Sequence, residues 1–412
     1  MKRLILIVVC LAALAGALSP HARAAGQCGL PRQTPLWIDF ADGSVPFWKT
    51  FARPGTIAAA ANFIYPPRFR AAGAKTIYWD MYLTTRRTGT PTAPADPELV
   101  VDRAHRLFDY AVASSACPTP WIAENELFGA GLPTPWSPTN ARYRANVLLY
   151  LRTLAARGAR PFLLVSSAPY TVGEAGDWWR QVAQVADIVR EVYFPAPPIY
   201  RQGPIQGSRT LRAAFRRGIA DFVAIGIPVT KLGLMVGFHT EAGTGGREGL
   251  KPAHAWFETV KWQALAARQV ALEFKFATIW SWGWANWGER GLDPDKEAAA
   301  CVYLWTRDPK LCDGPRAAGP AFDASLTEGQ LSLPPGVKCT VDDRVVRSSD
   351  IAALARVTGD RQVAYSALFS RAAESTFLTV PTARVLAAEK LVLSLRFGGS
   401  FSAYEAALRR AG

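Results

Sequence analysis

The chain has 412 residues, 50% of them hydrophobic and 19% charged, and carries a formal net charge of +14. That balance excludes an intrinsically disordered chain and provides for a large packed core. A polytopic membrane protein is not supported either, because the sequence holds one long apolar run, Leu4 to Leu18.

That run follows Lys2 and Arg3 and precedes Ala22-Arg23-Ala24. A basic start, a short apolar stretch and an A-x-A site read as a secretory signal peptide, residues 1–24. The expected mature protein is secreted or extracytoplasmic, with no stable membrane span once the signal is cleaved. Nucleic acid is then not an expected partner, and the basic charge suits anionic polymers or an envelope surface.

Apolar strand-like runs follow in chain order at Pro35–Ala41, Thr56–Ala60, Lys75–Leu83, Pro120–Leu127, Arg160–Ser167, Ile188–Phe194, Lys231–Phe238 and Phe276–Trp284. Helical patterns separate them at Pro97–Ser115, Thr139–Arg157, Ala175–Asp187, Ser208–Ile225 and Ala253–Ala271, and Pro294–Thr306 follows the last strand. Arg209, Arg212, Arg216 and Arg217 are spaced along one of these helices and read as a solvated face. Strands alternating with helices imply parallel βαβ units. Eight of them across residues 25–312 predict a (β/α)8 barrel of the TIM type. The runner-up, an open doubly wound sheet, lacks the Gly-rich loop expected after the first strand. The weakest strand is Thr56–Ala60, whose alanines equally suit a helix start.

All fourteen Trp residues occur by position 305. A Pro/Gly-rich stretch then marks residues 313–339 as a linker, and residues 340–412 read as a small all-α domain. Gly359 and Gly398-Gly399 are its helix stops, and Asp360 and Ser400 its caps.

In an oxidising compartment cysteines pair. Cys10 leaves with the signal. Cys301 and Cys312 bracket one short loop and are the expected pair. Cys28 with Cys117 would leave Cys339 over, although spacing alone does not fix that connectivity.

His105, His239 and His254 form no H-E-x-x-H or clustered His/Cys pattern, so no metal and no cofactor is expected. G-x-S-x-G and G-x-x-x-x-G-K-[ST] are also absent. Carboxylates at strand ends remain, and in a barrel those ends form the reaction face. Asp39 ends the first strand, Asp80 the third, Glu124 and Glu126 the fourth, and His239 with Glu241 the seventh. Asp39, Asp80, Glu126, His239 and either Trp280 or Trp282 are expected to line one cavity. Alternation along an unbroken strand puts Glu124 and Glu126 on one side and Asn125 on the other. Two like charges so close raise at least one pKa, which suits a general acid.

Ala123-Glu124-Asn125-Glu126-Leu127-Phe128-Gly129 resembles the E-N-E-Y-G motif of family 35 β-galactosidases and, more loosely, the Asn-Glu motif of the retaining (β/α)8 glycoside hydrolase clan. The resemblance implies Glu126 as acid/base, Asn125 as a ligand of the sugar 2-hydroxyl and Glu241 as nucleophile. Glu241 lies beyond His239, past the strand on which the clan places its nucleophile, so Asp80 and Glu124 are its substitutes. Asp39, Asp80, Glu124, His239, Trp280 and Trp282 would complete the substrate site. The tryptophans support a sugar ligand, because indole rings stack on apolar C–H faces while the N–H finds an oxygen.

The leading expectation is an exported glycoside hydrolase acting on a poly- or oligosaccharide. The alternatives are a non-catalytic carbohydrate- or envelope-binding barrel, and an interaction protein whose helical tail holds a protein partner.

Overall fold

Strands covered on both faces are written as near-continuous apolar runs, and such runs form the barrel wall here. The computed structural model describes residues 27–31, 34–41, 47–127, 140–166, 168–237, 247, 249–284 and 294–325. The signal segment, His239, Glu241, Cys339 and the predicted helical tail lie outside the described residues.

All eight predicted strands form: β1 Leu36–Phe40, β2 Ile57–Ala60, β3 Lys75–Asp80, β4 Trp121–Glu124, β5 Arg160–Val165, β6 Asp187–Val192, β7 Leu232–Gly237 and β8 Thr278–Trp282. Each pairs in parallel with the next, and β8 closes on β1. The molecule is a (β/α)8 barrel, and the doubly wound alternative is excluded. The six predicted helices form as Pro97–Ser115, Ala141–Ala156, Glu174–Val185, Gly203–Ala224, Ala253–Phe274 and Lys296–Arg307. Among the described residues three short helices, Tyr65–Ala71, Ala196–Arg201 and Gly314–Ala318, are additional, and each carries proline in its first turn. Proline fits there because those N–H groups have no helical partner.

Two apolar layers follow from strand alternation. Ile38, Phe40, Ala59, Ile77, Trp79, Ala123, Phe162, Val189, Met235 and Trp280 fill the barrel itself. Their strand neighbours, such as Tyr78, Ile122, Leu163, Ile188 and Leu234, pack outward against the helices. At the N-terminal end Asp187, buried, accepts from Arg160 and pairs with Lys231 Nζ at 3.2 Å. Arg160 also lies over the Trp121 ring at 4.4 Å. This end of the barrel is closed by structural contacts.

The basic stretch is not a solvated face. Arg212 and Arg216 are buried against helix Ala253–Phe274, where Arg212 donates to Gln269 and Arg216 pairs with Glu273 at 2.9 Å. A helix enclosed between two neighbours uses arginine as a packing and pairing residue.

Both cysteine pairs are bonded, Cys301–Cys312 and Cys28–Cys117, with Cα separations of 5.4 and 5.5 Å. The chain-entropy relation assigns about 2–3 kcal/mol to the short loop and roughly 4–5 kcal/mol to the long one. Replacing the Cys28–Cys117 pair by serine should therefore lower the denaturation midpoint more than the same change at Cys301–Cys312. Equal losses would contradict that ordering.

Candidate active site

The C-terminal ends of the strands gather one group of polar side chains in the barrel mouth, and strand parity decides which. At β1, Ile38 and Phe40 fill the barrel, so Asp39 faces the helices. It is fully buried, accepts from Ser281 Oγ at 2.9 Å and pairs with Arg307 at 2.8 Å. Trp284 extends that chain by donating to Ser281 at 2.8 Å. Asp39 thus binds the barrel wall to helix Lys296–Arg307, and its expected place in the cavity is corrected.

Asp80 and Glu124 pair across β3 and β4 and also face outward. Arg87, on the turn Leu83–Arg87, grips Asp80 with two hydrogen bonds of 2.8 and 3.0 Å. Glu124 is enclosed with Asp80 and Tyr150, and burial first, then the Asp80 charge, raises its pKa well above the usual range. Neither group reaches the mouth. The expectation that Glu124 and Glu126 share a side also fails, because the strand turns between them: Glu126 has left-handed backbone, φ 43°.

That turn delivers Glu126 into the mouth, and neighbouring strands hold it. Asn125 N donates to Asp80 O and Leu127 N to Leu164 O, each at 2.9 Å. Thr84 Oγ1 donates to Glu126 O at 3.3 Å and is itself bonded to Tyr143 at 2.8 Å. A non-glycine residue in this backbone region costs on the order of 1–3 kcal/mol, which the surrounding bonds must offset.

Within reach of the Glu126 charge stands a residue that sequence reasoning missed. Glu191 on β6 follows the parity of Val189 into the barrel and is 4% exposed. The Tyr193 hydroxyl donates to its Oε2 at 2.8 Å, while Oε1 has no hydrogen-bond partner among the described residues. Burial, reinforced by the Glu126 charge, pushes the Glu191 carboxyl up to about 8, against the opposing pull of Tyr193 and Arg190. The same scan of strand ends for acids would have found it, at the close of Asp187–Val192.

Aromatic rings wall the mouth. Trp282 is half-buried and stacks on Tyr193 with centroids 5.4 Å apart. Tyr193 fits because β7 ends in Gly237, where a Cβ would overlap its ring. Trp280 is different: it is fully buried between Phe40 and Phe162 and donates to Thr278 Oγ1 at 2.8 Å. It is core packing, and its expected contact with a ligand is corrected.

No family model matches the chain, and no curated protein does. Solved structures that resemble it include an L-ribulose 3-epimerase, 12% identical over 69% of this chain and 97% of that one, with a TM-score of 0.37. The C-terminal domain of a putative chitinase from Desulfitobacterium hafniense is 9% identical over 67% and 99%, with a TM-score of 0.43. A glycoside hydrolase family 5 enzyme from Prevotella bryantii is 10% identical over 60% and 88%, with a TM-score of 0.38. Likeness this remote carries nothing about chemistry, and the barrel rests on its own closed strand pairing.

Proposed function

We propose that the protein is an exported glycoside hydrolase whose barrel mouth acts on an O-glycosidic bond of a poly- or oligosaccharide. The observation that carries the reading is Glu126 near enough to Glu191 for its charge to be felt there, beside the stacked rings of Tyr193 and Trp282. A carboxyl group at the mouth suits protonation of a leaving oxygen, and a second acid is needed at the oxocarbenium-like centre. The aromatic wall suits the C–H face of a sugar ring.

Glu126 is assigned as acid/base, with Asn125 contacting a substrate hydroxyl beside it. Glu241 keeps its assignment as nucleophile and His239 as a substrate ligand. Asp39, Asp80, Glu124 and Trp280 have no direct part. Export is supported by the leader-like segment and by two disulfides. Among the described residues no helix is long and apolar enough to cross a membrane.

The experiment is a panel of aryl glycosides and polysaccharides, read as released phenol or new reducing ends. Polysaccharide turnover that disappears in Glu126→Gln, with activated aryl glycosides still cleaved, supports the reading. Silence across the panel with oligosaccharide binding intact would make the barrel a binding protein instead. Gly237→Ala is expected to push Tyr193 off Trp282 and weaken oligosaccharide binding about 3- to 10-fold, in line with the worth of one aromatic contact. Unchanged affinity in that variant would remove the aromatic wall from the site.

A further inference from the structure

Glu191 is, among the described residues, the one buried acid of the mouth for which neither the sequence motif nor the proposed mechanism has a use. We propose that Glu191 is a substrate-contacting residue whose Oε1, held in the mouth by the Tyr193 hydroxyl on Oε2, donates a hydrogen bond to a sugar oxygen beside Glu126. This assignment rests on the carbohydrate reading of the mouth and adds a donor that the reading lacks.

The geometry comes first. The side chain is more than nine-tenths buried, one oxygen is bonded to Tyr193 and the other has no partner among the described residues. A buried polar atom without a partner costs free energy unless something that binds there satisfies it. Glu126 lies near enough for its charge to raise the Glu191 pKa.

The protonation state follows from what surrounds it. Glu126 faces it from the end of β4, Tyr193 and Arg190 from its own strand, and Met235 from β7, where the Tyr193 hydroxyl also approaches the sulfur at 3.1 Å. Arg190 is turned away toward the carbonyls of Val165 and Ser166, and Asp221 stands on that side. Arg190 lowers the Glu191 pKa, but less than burial and Glu126 raise it. With a carboxyl that titrates near 8, the neutral form prevails below that pH and is lost above it. A neutral carboxylic acid can donate, whereas the carboxylate can only accept and would repel Glu126.

The test uses the full chain and thio-linked tetrasaccharides of the gluco, galacto, xylo and N-acetylglucosamine series, which bind without being cleaved. Affinity is measured by calorimetry from pH 5.5 to 9. The wild-type protein should bind one of these probes equally well up to about pH 7 and about tenfold more weakly at pH 9, because only the protonated fraction binds. Glu191→Gln, a permanently neutral donor of the same shape, should bind with wild-type affinity and lose the pH dependence. Glu191→Leu, shown to be folded by its melting curve, should bind at least about tenfold more weakly at every pH. A flat wild-type profile with binding intact, or undiminished affinity in Glu191→Leu, overturns this assignment and leaves the carbohydrate reading standing. Failure of every probe to bind at any pH overturns both.

Discussion

Glu126→Gln should lower turnover of unactivated glycosides by about 10²–10⁴-fold, the usual worth of a positioned general acid. Gln keeps the shape and the left-handed turn at position 126 but has no proton to give. Aryl glycosides with good leaving groups depart without that proton, so their turnover should be largely spared. Glu241→Gln, if Glu241 attacks the anomeric carbon, should remove both activities. An equal collapse on both substrate types in Glu126→Gln would transfer the nucleophile's part to Glu126. Full activity on unactivated substrates would remove Glu126 from the chemistry.

Away from the disulfides, the largest expected loss of stability is Arg307→Ala. The Arg307 side chain is 3% exposed, and its guanidinium pairs with the fully buried Asp39 carboxylate. Removing one member of a buried pair leaves an uncompensated charge and costs about 3–5 kcal/mol. Chemical denaturation should show that loss, with turnover per folded molecule unchanged. Asp39→Asn separates the two readings of this position: a structural Asp39 predicts lower stability with KM preserved, and a substrate ligand predicts a raised KM. Loss of substrate affinity in Asp39→Asn would return this residue to the site.

The barrel was legible because each strand is an apolar run set between helical patterns, and that period survives in the sequence alone. The site was legible only in part. Parallel strands are buried on both faces, so an acid within an apolar run does not declare whether it looks into the barrel or at the helices. Asp39 lies between Ile38 and Phe40, both apolar and both buried, and nothing local tells the two layers apart. Glu124 and Glu126 were separated by one left-handed residue, which no composition rule anticipates for glutamate. Glu191 followed the same strand-end rule as the others but was hidden beside Arg190, where an Arg-Glu neighbour pair reads as a surface ion pair. In the fold Arg190 and Glu191 point to opposite sides of β6, so the pair separates.

The measurement that tests the central claim most directly is a structure of the Glu126→Gln protein with the oligosaccharide that the panel identifies. The account predicts a sugar ring against Trp282 and Tyr193, with one of its oxygens within hydrogen-bond distance of Glu191 Oε1 and the glycosidic oxygen facing residue 126. A sugar seated outside the barrel mouth, or one that leaves Glu191 and position 126 without contact, would contradict it.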